Sequence, residues 1–415
     1  MSHLMSHDAP AVTMKGRIAG AGRGLAAIVL RKVLAAMEKG GLTFILPDGA
    51  RVECRGRLPG PEATIVIHDM SALRRLLFSG DVAFAEAFVR GEWSSPDLAA
   101  AIEVAAVNGD SFMRAVEGSA PARFANWIAH RLRANSPQGS RRNIAAHYDL
   151  GNAFYSHWLD PDMYYSSGLY RAADETLEEG QRNKVERVLD LLDARNGESV
   201  LEIGCGWGGL AVAMAKRGAG EITGLTLSKE QLAHAQGIVD AHGLQSRIDL
   251  RLQDYRDAGG TYDRIVSIEM IEAVGREYWP AYFSTLRDRL APNGHAIVQA
   301  ITIADQRFEK YVTTPDFIQR YIFPGGVLPC PRALQEEATR AGLRLETIET
   351  FGDSYARTLV EWRRRLHNNW RDIEALGFDA SFRRLWDYYL CYCEGGFRAG
   401  AINVGLYKLS HAQSQ

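Results

Sequence analysis

Cysteine is scarce in this chain. There are five in 415 residues, and no two are spaced Cys-x-x-Cys. The one close pair, Cys391-x-Cys393, sits inside an apolar, helix-like run. That excludes a zinc ribbon or a disulfide framework, and predicts buried, reduced thiols and no metal site. Charge of one sign is equally absent. The 48 Lys and Arg face 50 Asp and Glu, a net charge of −2, so no overall field selects nucleic acid as a partner. Long hydrophobic runs are missing too: nothing approaches the roughly 18 consecutive apolar residues that span a bilayer. The longest early run, Leu25 to Leu30, lacks the length, flanks and cleavage site of a signal peptide. There is no internal repeat and no low-complexity tract. What is left is a soluble or peripheral cytoplasmic protein of ordinary composition, long enough for two domains and a sizeable core.

The pattern of elements predicts where those domains fall. Residues 1–13 read as a disordered leader, 14–118 as a small mixed domain, 119–140 as a linker and 141–415 as an α/β domain. In the first domain, Leu25 to Glu38 carries apolar residues at helical spacing. Strand-like runs follow at Leu42–Leu46, Arg51–Arg57 and Ala63–Ile67, separated by Pro47-Asp-Gly49 and Pro59-Gly-Pro61. Helical patterns cover Ser71–Phe78, Asp81–Arg90 and Asp97–Asn108. The first 57 residues hold nine Lys or Arg against four Asp or Glu. Beside an amphipathic helix, that excess suits an anionic membrane surface; a solvated helix face would carry the same charges. In the second domain, strands are expected at 199–204, 221–226, 247–253, 262–268, 295–302, 343–350 and 402–409. Helices lie between them, including a long stretch from Ala356 to Arg398. Alternating strands and helices of this kind build a doubly wound α/β sheet.

The densest signal is Val200-Leu-Glu-Ile-Gly-Cys-Gly-Trp-Gly-Gly209. An apolar strand runs into a glycine-rich turn and then into a helix, Leu210 to Lys216. Such a turn brings backbone N–H groups at a helix N-terminus close to a nucleotide. Gly204-x-Gly206-x-x-Gly209 also fits the dinucleotide fingerprint. That fingerprint wants an acid at the end of the next strand, and Glu221-Ile-Thr-Gly-Leu-Thr-Leu227 ends without one. Glu202-x-Gly204-x-Gly206-x-Gly208 instead matches the turn of S-adenosylmethionine (SAM) methyltransferases. Ser228-Lys-Glu-Gln231 reads as a capping box, which leaves Thr226 and Gln231 able to touch a cofactor from the strand edge. Two aromatic and hydroxyl-rich segments, Arg141–Asn152 and Pro161–Tyr170, precede the first core strand.

Six motifs in order then resemble the cyclopropane-fatty-acid synthase family. They are Ala146-His-Tyr-Asp-Leu-Gly-Asn152, Asp162-Met-Tyr-Tyr-Ser-Ser167, Leu201–Gly209, Gly224–Gln231, Arg320-Tyr-Ile-Phe-Pro-Gly-Gly326 and Gly395-Gly-Phe-Arg-Ala399. The resemblance covers roughly residues 141–409 and more loosely Asp81–Pro96. It implies a seven-stranded, Rossmann-like SAM-dependent methyltransferase core with a smaller mixed α/β lipid-binding domain. It implies a peripheral enzyme at the inner membrane face, with a homodimer as its assembly. The substrate would be the double bond of an unsaturated phospholipid acyl chain. Tyr165, Ser166, Gly204, Gly206, Thr226, Leu227 and Gln231 should contact SAM, Asp254 and Tyr255 should lie at the adenine, and Ile268 near the sulfonium.

The chemistry constrains the rest of the pocket. An alkene taking a methyl group becomes a carbocation, which needs an apolar, aromatic, water-free pocket and a base. Loss of a proton from the new methyl closes a cyclopropane; loss from a neighbouring carbon leaves a methyl-branched alkene; capture of water gives a hydroxy-methyl product. The family's base is a bicarbonate ion held by Cys, Glu, His, an Ile backbone group and Tyr. Here Glu272, Ile301 and Tyr355 match, but Ser167 stands for the Cys and Gln299 for the His. Ser and Gln still hydrogen-bond an oxyanion; Gln cannot shuttle a proton. The resemblance therefore implies cyclopropane formation, with a methyl-branched or methylene acid as the alternative. His147 and Asp149 read as structural. Arg320–Phe323 and Arg363–Arg365 read equally as a headgroup path or as solvated surface. Two other functions fit parts of the sequence: methylation of a small amine or natural product, and lipid binding with SAM held but not turned over.

Overall fold

The computed structural model describes residues 13–15, 35–109, 111, 150–195 and 197–412. The leader up to residue 12, most of the expected helix Leu25–Glu38, the linker 119–140 and Arg141–Asp149, with His147 and Asp149, lie outside the described residues. The chain divides into two compact units, residues 1–126 with 379–401 and residues 127–378 with 402–415.

The second unit is built on seven strands: β6 (Val200–Ile203), β7 (Ile222–Thr226), β8 (Ile248–Leu252), β9 (Tyr262–Ile268), β10 (Leu290–Ile303), β11 (Leu343–Thr350) and β12 (Ile402–His411). All seven expected strands are present. Their order in the sheet is β11-β12-β10-β9-β6-β7-β8. The pairs from β8 through β7, β6 and β9 to β10 are parallel, and β12 runs antiparallel between β10 and β11. β6 and β7 are buried along their whole length, as strands covered on both faces must be. The chain reverses direction across the sheet between β6 and β9, so β6 is the switch point, where ligands of open α/β sheets bind. On one face Ile265, Ala296 and Val298 pack with Trp279, Tyr282, Phe283 and Leu286. The helix Leu177–Leu192 starts from a full capping box, Thr176 with Glu179.

The first unit contains a five-stranded sheet in the order β1-β3-β2-β4-β5. Its strands are β1 (Thr13–Lys15), β2 (Lys39–Ile45), β3 (Arg51–Arg55), β4 (Leu58–Ile67) and β5 (Trp93–Ser94). Two expectations are corrected here. Pro59-Gly-Pro61 is not a turn between strands but the start of β4, entered through an irregularity in register against β2. Gly40 and Gly60 make this possible: a β-carbon on Gly40 would lie 2.0 Å from the Pro61 carbonyl oxygen. The expected helices Ser71–Phe78 and Asp81–Arg90 are one continuous helix, Ser71–Val89.

The stretch Ala356–Arg398 is three helices, Gly352–Asn368, Trp370–Ala375 and Ala380–Arg398. The last belongs to the first unit, although the sequence places it within 141–415. Its Tyr388 ring packs on Phe88 and Trp93, at 5.5 and 6.5 Å between centroids. Arg384 Nε donates to the Val89 carbonyl at 2.6 Å. Gly395 allows close approach to the helix Leu98–Val107, since a β-carbon there would meet the Ala99 oxygen at 2.9 Å. The motif Gly395-Gly-Phe-Arg-Ala399 therefore serves helix packing. Among the described residues, no helix is long and apolar enough to cross a membrane.

Candidate functional site

The glycine-rich turn leaves β6 with three residues in the left-handed region: Gly204 (φ +84°), Gly206 (+53°) and Gly208 (+89°). L-residues with side chains rarely adopt these angles, which accounts for glycine at each position. The turn is tied to the next strand, because Gly204 and Cys205 N–H both donate to the Leu225 carbonyl at 3.0 and 2.9 Å. Gly208 caps the helix Gly209–Arg217. Its space is limited, since a β-carbon would lie 2.9 Å from that of Ala235. Gly206 is the opposite case, with nothing within 4 Å of an added β-carbon. A close-packed turn with one open cradle at a helix N-terminus fits a nucleoside donor such as SAM.

At the end of β7, Ser228 caps the helix Lys229–Ala241 by accepting from Gln231 N–H. The reciprocal half of the expected capping box is absent. Gln231 Oε1 accepts instead from Thr226 Oγ1 at 2.9 Å, which fixes both buried side chains. Leu227 keeps partial exposure at this edge. Past β8, both carboxylate oxygens of Asp254 accept from Arg256, at 2.9 and 2.7 Å. Tyr255 turns into the core against Tyr282, 5.7 Å between ring centroids.

The segment before β6 forms an aromatic cage. Tyr165 lies 5.4 Å from both Trp158 and Trp362 and 5.5 Å from Tyr155, centroid to centroid. Tyr355 stands edge-on to Trp362 at 6.1 Å. Trp158 and Trp362 are fully buried, while Tyr165 keeps some accessible surface. Such faces exclude water and attract a cation, by about 1–2 kcal/mol per ring where desolvated. Replacing Tyr165 with leucine should therefore lower kcat roughly ten- to thirtyfold, and replacing it with phenylalanine by less than about threefold. Single-turnover transfer of labelled methyl checks this; equal losses in both variants would assign the work to the hydroxyl.

The carboxylates are the least expected part of the site. Glu269 sits one residue past β9, with φ +50°. Its Oε1 accepts from Ser167 N–H at 2.9 Å and from Gln299 Nε2 at 2.7 Å. Its Oε2 accepts from the Tyr355 hydroxyl at 2.6 Å. Glu272, three residues on, accepts from Ile301 N–H at 2.5 Å through Oε1, and its Oε2 has no hydrogen-bond partner. Both side chains keep partial accessible surface. Burial pushes the Glu272 carboxyl up to about 8, helped by repulsion from Glu269. Burial also raises Glu269, against the pull of its three donors and of Lys184. Lys184 is itself buried, donates from Nζ to Ser166 Oγ at 2.9 Å, and is lowered to about 8 by desolvation. Glu202, on β6 and within electrostatic reach of Lys184, is raised to about 8 by burial.

The structure thus brings Ser167, Gln299 and Tyr355 together, with Glu272 and Ile301 paired beside them and Ile268 adjoining Glu269. Ser167 takes part through its backbone; its hydroxyl donates to the Gly168 carbonyl at 2.8 Å. Ser166 faces Lys184 and, through its carbonyl, Gln181. Glu269, Lys184, Trp158 and Trp362 were not anticipated. A second acid at a strand's C-terminal end was the available signal for Glu269.

A sheet in which β12 alone runs against the other strands, with a glycine turn at its switch point, is the fold of SAM-dependent methyltransferases. The sequence matches the mycolic acid cyclopropane synthetase family over residues 135–406. The chain belongs to that family. It is 36% identical over 403 residues to a tuberculostearic acid methyltransferase of Mycobacterium tuberculosis, covering 94% of this chain and 92% of the relative. It is 33% identical over 351 residues to the cyclopropane-fatty-acyl-phospholipid synthase of Escherichia coli K12, covering 82% and 86%. A crystal structure of a mycolic acid cyclopropane synthase complexed with SAH and CTAB superposes with a TM-score of 0.61 at 31% identity, over 65% of this chain and 97% of that one. Coclaurine N-methyltransferase has the same TM-score at 19% identity, which speaks for the fold alone.

Proposed function

We propose that the protein methylates the double bond of an unsaturated phospholipid acyl chain at a membrane surface, and that the product is methyl-branched. The observation that carries this reading is the aromatic cage closed by buried carboxylates beside the glycine cradle. SAM, when bound, supplies the methyl as an electrophile. The alkene π pair forms the new carbon–carbon bond, the C–S pair stays on sulfur, and the acyl chain is left with a cationic carbon. Tyr165, backed by the buried Trp158 and Trp362, keeps water from that carbon and offers it a π face. A buried carboxylate takes one proton, and the C–H pair becomes a new bond within the chain.

The position of the base decides the product. Ring closure requires a proton from the methyl just delivered. We infer that the carboxylate, fixed by three hydrogen bonds, lies against a neighbouring chain carbon and takes the proton from there. That leaves a branched alkene. The relative matched over 94% of this chain is named for a fatty-acid methyl transfer rather than for a ring, which favours the same outcome. Transfer to a small amine is disfavoured, because the cage has no need of a second buried acid to deprotonate a group that sheds its proton to water. The basic excess of the first 57 residues suits an anionic bilayer.

The test incubates the protein with methyl-labelled SAM and vesicles of oleoyl phosphatidylglycerol or oleoyl phosphatidylcholine. Acyl chains are then weighed before and after mild hydrogenation. Labelled chains one CH₂ heavier, saturable by hydrogenation and formed faster on the anionic vesicles, are expected. A product that resists hydrogenation would replace the branch with a ring. Absence of label from the acyl chains would overturn the reading.

A further inference from the structure

We propose that Glu269 is the resident general base of this enzyme, standing where an exogenous oxyanion would otherwise bind, so that turnover requires no bicarbonate. The inference rests on the alkene-methylating reading above. A bicarbonate ion at this site needs donors converging on it, and the donors are already committed. Ser167 N–H, Gln299 Nε2 and the Tyr355 hydroxyl all end on the two oxygens of Glu269, at 2.9, 2.7 and 2.6 Å. Ile301 N–H ends on Glu272. The clamp is built for a planar carboxylate, and the chain supplies that carboxylate itself.

The backbone shows the same commitment. Glu269 has φ +50°, a left-handed angle that a glutamate adopts at a cost and a glycine adopts freely. Its N–H donates to the Gln299 carbonyl at 2.8 Å, so strand β10 holds both ends of the residue. The strained angle aims the side chain back across the C-terminal edge of the sheet. It sits one residue beyond Ile268 and on the Tyr355 hydroxyl, whose ring touches the Trp362 wall of the cage. Gln299 and Tyr355 then act as positioning residues. In the step itself a Glu269 oxygen lone pair takes the proton from the cationic acyl chain, and the C–H pair forms the new carbon–carbon double bond. The neutral acid afterwards loses that proton to solvent, and no other reactant is consumed.

Glycine at 269 should relieve the strained angle and leave three convergent donors without their carboxylate. The native protein and the Glu269→Gly and Glu269→Gln variants are compared in carbon-dioxide-free buffer, with sodium bicarbonate or formate added against chloride at equal ionic strength. Native turnover should not change with bicarbonate. Both variants should lose roughly a hundred- to a thousandfold in turnover. In Glu269→Gly alone, bicarbonate and formate should restore at least tenfold and raise the melting temperature, an effect absent from the native protein. SAH binding should match the native protein in both variants. Native turnover that collapses without bicarbonate and returns with it, or a Glu269→Gln variant at the native rate, would overturn the proposal. Should Glu269→Gly fail to fold, Glu269→Gln decides it. If no condition yields methylated acyl chains, the reading of the reaction fails, while the anion-dependent melting of Glu269→Gly still decides what fills the clamp.

Discussion

Replacing Gly206 with asparagine should weaken SAM binding by on the order of a hundredfold, while the melting temperature stays within a few degrees of the native protein. Asparagine tolerates the left-handed angle that Gly206 adopts, φ +53°, better than other side chains. Nothing lies within 4 Å of an added β-carbon there, so the fold has no reason to resist the change. The new side chain would instead project into the cradle, where the backbone must approach the ligand closely. Gly208→Val is the paired control with the opposite signature. Its angle of +89° is costly for a β-branched residue, and its β-carbon would press on Ala235 at 2.9 Å and on that residue's Cα at 3.2 Å. Overpacking and backbone strain together amount to a few kcal/mol, roughly 5–10 °C in melting temperature. Calorimetric titration with SAH and thermal melts of both variants separate the two roles. Native SAH affinity in Gly206→Asn would remove the glycine turn from the cofactor site.

The contrast between these glycines shows what the sequence could and could not convey. Strand, turn and helix from Ser199 to Lys216 were legible because buried parallel strands read as continuous apolar runs and the turn needs glycine. The central strands β6 and β7 show that signal most fully, whereas β8 and β11 are partly exposed and carry charged residues. The helix Ser71–Val89 was cut in two at Ser79-Gly80, where local propensity favours a break and tertiary packing overrides it. The helix Ala380–Arg398 groups with the first unit, which its sequence does not convey, because nothing local in an amphipathic helix says which sheet its apolar face will meet.

At the site, Glu272, Gln299 and Tyr355 are marked in the sequence only by resemblance; in the structure Gln299 and Tyr355 meet on Glu269, and Glu272 pairs with the Ile301 N–H. Glu269, three residues before Glu272, carries little signal of its own in the sequence. Its importance depends on a left-handed backbone angle and on donors from residues 167, 299 and 355, none of which is local in sequence. Lys184 escaped for a related reason. It lies on the face of its helix that also buries Val185, Val188 and Leu189, and a lone lysine there reads as surface until its partners are seen.

The buried acids should make folding stability fall, not rise, from pH 5 to pH 8. Glu202 and Glu272 are held protonated to about 8, and Asp160 to about 6, by burial. In the unfolded chain the same groups ionise near pH 4. Between those limits unfolding releases their protons, so each rise in pH favours the unfolded chain. Their contribution is complete below the unfolded values and lost as pH passes the folded ones. Lys184, lowered to about 8, works in the other direction only above that pH, where folding releases its proton. His234 and His295, lowered by burial, oppose the trend near pH 6, which is why the comparison must be with variants. Glu272→Gln keeps an oxygen for the Ile301 N–H but cannot ionise, and Glu202→Gln likewise removes a titrating group. Denaturant unfolding at pH 5, 6, 7 and 8 should show the native protein losing on the order of a few kcal/mol across the range. Each variant should show a shallower decline, and the double variant the shallowest. Parallel slopes in all four proteins would mean that these acids are hydrated in the folded state. In that event the cage would not be the dry space that a carbocation requires. A measurement of stability thus bears directly on the chemistry, because the same exclusion of water keeps Glu272 protonated and protects the cationic chain.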